Sequence, residues 1–385
     1  MSHLDFTLSA GPTTTTARTL AALGSPITYH YDPDFIMAFK RTQEKVARIF
    51  KTTNDVVIMQ GEAILGLESA ARALTHRGMH VLNLVQGVFG KEMGYWLTEY
   101  GAVLHEIEVP YNDAVSPEAV DRYLTDHAEI ELLAVVASET PSGTICDIAA
   151  IGMIAQKHGV LTLVDTVSGI CSMEFETDAW GLDVCVAGAQ KCLGGPPGVA
   201  LVTVSSAAWE SIYSNQEAPR SSYLSLIDWK EKWLEEEVFP YTPSVSDVHG
   251  LEAVCDQMLE EGVENAIARH LNSALVTRAG IRAMNLEPWP VSDAITATCV
   301  TSVRLPDEVD ALKLRTYIRE RYGVMLSVGQ GAGNLIRIAH MGPTASGIYP
   351  IIGLSALGRA LLDLGQPVEV GAGIEAALEV LSSQG

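Results

Sequence analysis

The chain has 385 residues, of which 48% are hydrophobic, and a formal net charge of −22. So acidic a surface is repelled by nucleic acid and by anionic membranes, and neither is an expected partner. Because a single hydrophobic core rarely grows beyond about 250–300 residues, the length predicts two domains.

The first residues, MSHLDFTLSAGP, lack the basic start and apolar run of a secretory signal. No apolar run reaches the roughly 18 residues of a membrane span, so a cytoplasmic location is expected. Neither CxxC nor HExxH occurs, and no metal site is predicted. Scattered cysteines in a cytosolic chain are expected to be reduced thiols. They are Cys146, Cys171, Cys185, Cys192, Cys255 and Cys299.

Short apolar runs alternate with helical patterns through the first two thirds of the chain, with helices expected near 62–75, 90–100 and 147–158. This alternation predicts an α/β domain whose mostly parallel seven-stranded sheet is covered on both faces. In such sheets ligands bind at the carboxyl ends of the strands. The predicted strands are 56–60, 80–85, 103–108, 131–137, 160–165, 183–188 and 199–205.

The alternation of predicted strands and helices ends after the last predicted strand. Residues 206–250 are rich in Trp, Ser, Pro and acidic residues, and we interpret them as loop and helix. A long helical stretch to about 284 leads into a smaller α+β region, with strands near 297–305 and 334–340 and helices near 308–321, 350–364 and 371–382. We therefore expect an N-terminal arm at 1–20, a large domain at 21–260 and a small C-terminal domain at 261–385.

Two polar residues stand where predicted strands end. Asp165 closes VLTLVD, and Lys191 follows DVCVAGAQ 26 positions later. A buried carboxylate and a buried amine are each costly unless they are paired or used. Together they suit a vitamin B6 aldehyde, which the amine attacks while the carboxylate keeps the ring nitrogen protonated. Taken singly, each is more often a charge that reaches water.

Five segments resemble the class V aminotransferases of fold type I: SAGPT, SETPSGTI, LVDTVSG, GAQKCLGGPPG and RIAHMG. The resemblance covers nearly the whole chain and implies that Lys191 forms the Schiff base and Asp165 binds the ring nitrogen. Other segments, including YDPDF, QGEAILGLE and HMGPTA, are similar to family members that act on pyridoxamine and pyruvate in vitamin B6 degradation.

The same resemblance assigns further contacts around the ring. It implies that Thr140 binds the ring hydroxyl, that Phe89 stacks on the ring face and that Val167 lines the pyridoxal site. An aromatic residue between glycines suits a flat ligand, although a core residue would look the same.

A second group of residues is implied to hold the amino or keto acid. Arg337, in NLIRIAHMG, is expected to bind the carboxylate, because its planar fork matches two carboxylate oxygens. The alternative is a surface arginine on an edge strand. Gln330 stands where the similar enzymes carry a second arginine, which leaves the keto acid open.

Glu62 bears on the form of the vitamin. In the family, N–H groups at the start of a helix hold the cofactor's phosphate. The matching segment here is MQGEAILGLESA, and its carboxylate would use the same N–H groups. At 4 Å two unit charges cost roughly 1 kcal/mol in water and more in a drier site. The resemblance thus implies an unphosphorylated ring, whereas spacing alone favours a helix-stabilising glutamate.

The function implied is exchange of an amino group between pyridoxamine and pyruvate, giving pyridoxal and L-alanine. Pyridoxal or pyridoxamine would bind through Lys191 as a substrate, and no tightly bound cofactor is expected. Tyr241 and Thr242, in FPYTPS, match a segment that enters the neighbouring subunit's site in the family, although a Pro-rich surface turn explains it equally well. The active unit is therefore expected to be a homodimer, within a tetramer.

Three alternatives stay open at this stage. The first is a conventional pyridoxal phosphate-dependent aminotransferase of the alanine–glyoxylate type, from which Glu62 would distinguish the chain. The second is a non-catalytic vitamin B6-binding protein, which would not need Arg337. The third is a desulfurase, for which Cys192 beside the lysine is the single hint.

Overall fold

The computed structural model describes residues 4–383, and all that follows concerns these residues. Their central feature is a seven-stranded sheet with the strand order β2-β10-β9-β8-β5-β3-β4. β10 runs antiparallel to both of its neighbours, and the remaining pairs are parallel, so the predicted α/β fold with a mostly parallel sheet is confirmed. The strands are β2 (Asp55–Gln60), β3 (His80–Val85), β4 (Val103–Glu108), β5 (Leu132–Val136), β8 (Leu161–Asp165), β9 (Val184–Gly188) and β10 (Val199–Val204).

Helices cover both faces of this sheet, and several begin where the sequence places a capping side chain. Asp32 and Ser116 cap helices whose first residue is proline, which satisfies otherwise free N–H groups. The helices of this region are α1 (Ala17–Leu23), α2 (Pro33–Phe50), α3 (Ala63–Leu74), α4 (Val88–Glu99), α5 (Pro117–Asp126), α6 (Ile148–His158), α7 (Ser206–Ser214), α8 (Leu226–Asp228), a π-helical segment (Trp229–Glu235) and α9 (Val245–Glu261). A small hairpin joins β6 (Ser138–Glu139) to β7 (Thr144–Ile145).

The segment interpreted as loop and helix at 206–250 packs closely against the large domain. Trp229 and Trp233 of the π-helical segment are buried against Phe39 of α2. Phe239 stacks on Trp233 with ring centroids 4.1 Å apart. Burial of such large rings fixes the position of this segment against α2.

The last third of the chain forms a second, smaller layer. Its three-stranded antiparallel sheet has the order β11-β14-β13, and the N-terminal β1 (Phe6–Thr7) pairs with β12. Its elements are α10 (Val263–Ala283), β11 (Val300–Arg304), α11 (Ala311–Tyr322), β12 (Val324–Met325), β13 (Ser327–Val328), β14 (Leu335–Ala339), α12 (Tyr349–Asp363) and α13 (Val370–Ser382).

Buried apolar side chains form two clusters, one around the large sheet and one around the small sheet. The second cluster draws on α10 and the elements after it, together with Leu8 of the N-terminal arm. Some residues after 260, such as Ala297 and Met341, belong to the first cluster, and the division near residue 260 stays a prediction. The arm contacts the smaller part through β1. Among residues 4–383, no helix is both long and apolar enough to cross a membrane.

Candidate active site

Neighbouring strands of the large sheet deliver the predicted site residues to one edge. β9, β8, β5 and β3 are adjacent and parallel, so their carboxyl ends lie side by side. Lys191 follows β9, Asp165 ends β8, Thr140 follows β5, and Phe89 follows β3. The order of strands therefore sets the order of side chains along the edge, as expected for a ligand site in such a sheet.

Lys191 lies under the N-terminal arm. Its Nζ donates to the carbonyl oxygen of Ala10 at 2.8 Å. Gly11 leaves room for this approach, since a Cβ there would lie 2.5 Å from Nζ, and its φ of +97° suits glycine. Burial lowers the pKa of the Lys191 amine, and the field of Arg337 lowers it further. An amine that loses its proton easily is a ready nucleophile and proton carrier.

Asp165 is buried at the end of β8. Its Oδ1 accepts a hydrogen bond from the backbone N–H of Val167 at 2.8 Å, which places Val167 at the site. Burial raises the pKa of Asp165 to about 6, while the positive field of Lys191 opposes that rise. A carboxylate in this setting is stabilised by a positively charged partner, such as a protonated ring nitrogen.

Glu139 is the site residue that sequence reasoning missed. It is fully buried, and its carboxylate accepts from the backbone N–H groups of Phe89 at 3.2 Å and Gly90 at 2.7 Å. A Cβ on Gly87 would lie 2.4 Å from its Cδ, so this approach needs glycine. Glu139 thus fixes the backbone of the predicted stacking residue. The available sequence signal was a lone carboxylate next to a fully apolar strand.

Thr140 follows Glu139 and is also buried. Its hydroxyl oxygen has no hydrogen-bond partner within residues 4–383. A buried hydroxyl without a partner is costly, so the position suits a polar group of a bound ligand. Phe89 is half-buried at the start of α4, on the same edge of the sheet.

Glu62 is the N-cap of α3, one strand beyond β10 along the same edge. Its Oε2 accepts from the backbone N–H of Ile64 at 2.8 Å. Its Oε1 accepts from the side-chain amide of Gln190, the residue before Lys191. The negative field of Glu62 is felt at both Lys191 and Asp165. The carboxylate is exposed, and its two hydrogen bonds hold it beside the lysine.

Arg337 lies on β14, the middle strand of the small sheet, and its side chain is buried. Its Nη2 donates to the side-chain oxygen of Gln330 at 3.0 Å, whereas Nε and Nη1 have no partner in the described part of the chain. Burial lowers the pKa of the guanidinium to about 10. The alternative of a surface arginine is wrong, because 3% of this residue is exposed. Two buried donors without an acceptor suit a carboxylate ligand.

The segment with Tyr241 and Thr242 is not brought to the site within one chain. The hydroxyl of Tyr241 accepts from Trp229 at 3.0 Å, and its ring packs on Tyr223 at 4.2 Å. Thr242 is exposed. Neither residue has a hydrogen bond to Lys191, Asp165 or Arg337 in residues 4–383, and the expected role of both at the site of a second subunit stays a prediction.

Cys192 lacks the features of a desulfurase nucleophile. Its thiol is buried and donates to the carbonyl oxygen of Ser168 at 3.3 Å. Burial and the neighbouring Cys299 raise the pKa of the Cys192 thiol, whereas a reactive cysteine needs an exposed thiol with a lowered pKa.

A lysine of lowered pKa and a buried aspartate at one edge of the large sheet, together with a buried arginine on the small sheet, define a vitamin B6-dependent enzyme acting on amino and keto acids. The chain belongs to the class V aminotransferase family, whose model matches residues 15–343, and it is a transaminase of small molecules. The alternative of a non-catalytic binding protein is therefore excluded.

Individual relatives cover almost the whole chain. Pyridoxamine–pyruvate transaminase of Mesorhizobium japonicum is 44% identical over 99% of this chain and 98% of that protein. The crystal structure of pyridoxamine–pyruvate aminotransferase from Mesorhizobium loti has a TM-score of 0.97 at 43% identity, covering 100% of this chain and 98% of that one. L-aspartate–glyoxylate aminotransferase of Paracoccus denitrificans is 31% identical over 96% of this chain and 94% of that protein.

The family corrects one prediction. Class V aminotransferases depend on pyridoxal phosphate as their cofactor, so the expectation of no tightly bound cofactor was wrong. The charge of Glu62 bears on a phosphate group at the start of α3, and it does not decide whether the ring itself is retained. A ring bonded to Lys191 and paired with Asp165 is retained by those contacts, whatever one exposed carboxylate does at its edge. The unpartnered hydroxyl of Thr140 and the raised pKa of Asp165 show that the pocket fits a vitamin B6 ring.

Proposed function

We propose that this transaminase exchanges an amino group between pyridoxamine and pyruvate, giving pyridoxal and L-alanine. Of the relatives named above, the one with the highest identity to this chain is named for this exchange. The observation that carries the proposal for this chain is the placement of Glu62, which Gln190 holds beside Lys191 at the start of α3. The ring of pyridoxamine would be held by the residues that hold the ring of the family's cofactor.

The charge of Glu62 favours an amine without a phosphate. The start of a helix attracts one anion, and the Glu62 carboxylate already accepts the N–H of Ile64. A phosphate ester arriving there would compete for the same donors against a like charge. At 4 Å that repulsion is about 1 kcal/mol for each unit charge in water and several times larger in a partly dry site. The uncharged hydroxymethyl group of pyridoxamine avoids this cost.

The proton transfer would be carried out by Lys191. Because burial lowers the pKa of its amine, Lys191 loses its proton more readily than an exposed lysine, and the unprotonated amine can then accept a proton. We assign it the transfer between the amine-bearing carbon of pyridoxamine and the keto carbon of pyruvate. Asp165 would hold the ring nitrogen in its protonated form, which lets the ring accept the electrons released at that carbon.

Arg337 would bind the carboxylate of pyruvate or alanine. Its Nε and Nη1 have no partner in residues 4–383, and each can donate to an oxygen of the acid, while Nη2 donates to Gln330. Gln330 adds no second positive charge, so the site offers one guanidinium to the acid. A monocarboxylate of small volume, such as pyruvate, matches a single guanidinium better than a dicarboxylate does.

The wider context is part of the same proposal. We place the reaction in vitamin B6 breakdown in the cytoplasm, with a dimer as the active unit inside a tetramer. Thr242 and Tyr241 of one subunit would approach the ring site of the other, as the family resemblance implies. The acidic surface keeps nucleic acid and anionic membranes away.

The test is a set of half-reactions with the purified enzyme. Pyridoxamine and pyridoxamine phosphate are each mixed with pyruvate, glyoxylate, oxaloacetate and 2-oxoglutarate, and the aldehyde formed is measured. We expect kcat/KM to be highest for pyridoxamine with pyruvate. A preference for the phosphorylated amine would overturn the role of Glu62, and a preference for another keto acid would overturn the choice of pyruvate.

A second candidate is a conventional pyridoxal phosphate-dependent aminotransferase that uses glyoxylate. One observation favours it: the aspartate–glyoxylate relative that is 31% identical to this chain. In that case L-alanine and glyoxylate would turn over on enzyme loaded with pyridoxal phosphate, without consuming free pyridoxamine.

A further inference from the structure

A cluster of histidines lies at the end of the large sheet away from Lys191. His80 is the first residue of β3, and His105 lies within β4, the edge strand of the sheet. β3 and β4 are parallel, with His105 opposite Leu82, so the two imidazoles project from the same face. The Nδ1 of His80 lies 3.0 Å from the Nε2 of His105.

A carboxylate completes this cluster. Glu129, in the turn before β5, brings an oxygen to the same place, and the three candidate ligand atoms all lie within 4.8 Å of one another. Tetrahedral zinc with Zn–N bonds of about 2.0–2.1 Å holds its ligand atoms about 3.3 Å apart. The two histidine nitrogens, which lie 3.0 Å apart, are already close to that spacing. The Glu129 side chain is 45% exposed, so it can rotate inward to complete the set.

The neighbours of these three residues resemble the outer contacts of a metal site. The Nδ1 of His105 lies 2.9 Å from the hydroxyl of Tyr123, so an N–H there can donate to Tyr123 while Nε2 binds a metal. Metal-binding histidines usually donate their second N–H in this way, which fixes the ring. His127 binds Glu129 at 2.9 Å and stacks on the Tyr123 ring at 4.3 Å.

We propose that His80, His105 and Glu129 form a binding site for a divalent transition metal, with zinc as the best match. Two imidazoles and one carboxylate suit zinc, nickel and copper and are a poor set for calcium or magnesium, which prefer oxygen ligands. Three protein ligands leave a fourth position for water. The residues are far apart in the sequence, which is why no ligand spacing announced the site and the sequence analysis predicted none.

The position of the site defines its effect. The metal would join the edge strand β4 to β3 and to the turn before β5, at the amino end of the sheet. An edge strand has a neighbour on one side only and is easily frayed, so a metal tie there stabilises the sheet. Because Lys191 lies at the opposite end, zinc at this site is expected to raise thermal stability and leave transamination unchanged.

The experiment uses the full-length enzyme after dialysis against a chelator. Zinc is titrated by calorimetry, and cobalt is used in parallel because its visible absorption reports coordination geometry. We expect one site per chain, an unfolding midpoint that rises by several degrees with zinc, and at least a tenfold weaker affinity in His105→Gln. Glu129→Gln, at an exposed position, is expected to weaken binding without disturbing the fold.

His76→Gln serves as the matched control. This histidine is half-buried near the same end of the sheet, its ring contacts the carbonyl oxygen of Arg77, and it lies outside the cluster. Its substitution should leave both the affinity and the midpoint shift as in the unmodified enzyme. The proposal is overturned if no zinc binds, or if zinc binds equally well to His105→Gln, Glu129→Gln and the control.

Discussion

Two helices that border the ring site begin with a carboxylate, but the two carboxylates are held differently. At α3 the carboxylate is the helix's own N-cap, Glu62, which is exposed and contacts Ile64 and Gln190. At α4 it comes from a distant hairpin: Glu139 is buried and accepts two backbone N–H groups. Both accept backbone N–H groups that the first turn of a helix leaves without a partner.

This difference gives the two carboxyl groups different expected roles. Glu62 meets the ligand, and Glu139 holds the backbone of the protein. Glu62 is exposed, so an incoming ligand meets its charge. Glu139 lies behind Phe89, where no ligand reaches it. Burial, with a smaller contribution from the nearby Asp165 and Glu92, raises the pKa of Glu139 to about 8, although its two backbone hydrogen bonds oppose the rise. We therefore infer that Glu62 determines which ring enters and that Glu139 positions Phe89, which is expected to stack on the ring.

The largest expected effect is on stability. Glu139→Leu removes the acceptor of two buried N–H groups, each of which costs about 1–3 kcal/mol when left without a partner. We expect it to lower the free energy of unfolding by roughly 2–5 kcal/mol, and Glu62→Leu by about 1 kcal/mol, the typical value of an N-cap. Urea denaturation measures both. Equal losses for the two variants would contradict the comparison.

The next effect concerns specificity. Glu62→Gly removes the like charge from the start of α3 and frees the Ile64 N–H for a phosphate. We expect the ratio of kcat/KM for pyridoxamine phosphate to that for pyridoxamine to rise about tenfold, equivalent to roughly 1.4 kcal/mol. Glu139→Gln is the control and should leave the ratio unchanged. An unaltered ratio in Glu62→Gly would remove the electrostatic argument for the substrate.

The sequence could predict this fold because its signals are local. Apolar runs ending at Asp165 and shortly before Lys191 identify two strand ends, and parallel strands bring such ends to one edge. The family resemblance supplied the roles of Thr140 and Phe89 and the expected carboxylate contact of Arg337, where spacing alone left a core residue or a surface charge equally plausible.

What the sequence could not show depends on which strands are neighbours. The contacts of Glu139 cross about 50 positions and exist because β3 and β5 are adjacent. The same adjacency of β3 and β4 brings His80 to His105. The mistaken cofactor prediction had another cause: one charge, Glu62, was allowed to outweigh the contacts that retain the ring.

A third prediction concerns how the free energy of unfolding depends on pH through the protonation of Glu139. The pKa of Glu139 is raised to about 8, so the folded chain keeps a proton that the unfolded chain releases above about pH 4.3. The free energy of unfolding should therefore fall as pH rises from about 4.3 to 8.

Glu139→Gln resembles the protonated form at every pH and should remove this part of the slope. Unfolding measured in urea at pH 5, 6.5 and 8 gives the difference from the unmodified enzyme, in which the titrations of other groups largely cancel. Parallel pH profiles for the unmodified enzyme and Glu139→Gln would show that Glu139 is ionised throughout.

The smallest expected effect tests how Glu62 is held. Gln190→Met keeps the volume of a buried side chain and removes the amide that donates to Glu62. Loss of one such hydrogen bond is worth about 0.5–1.5 kcal/mol, so the preference for pyridoxamine over its phosphate ester should fall about threefold. The N-cap contact with Ile64 remains in this variant, and so the fall should be smaller than in Glu62→Gly. If Gln190→Met lost the whole preference, the amide rather than the helix start would be what keeps the Glu62 charge in place.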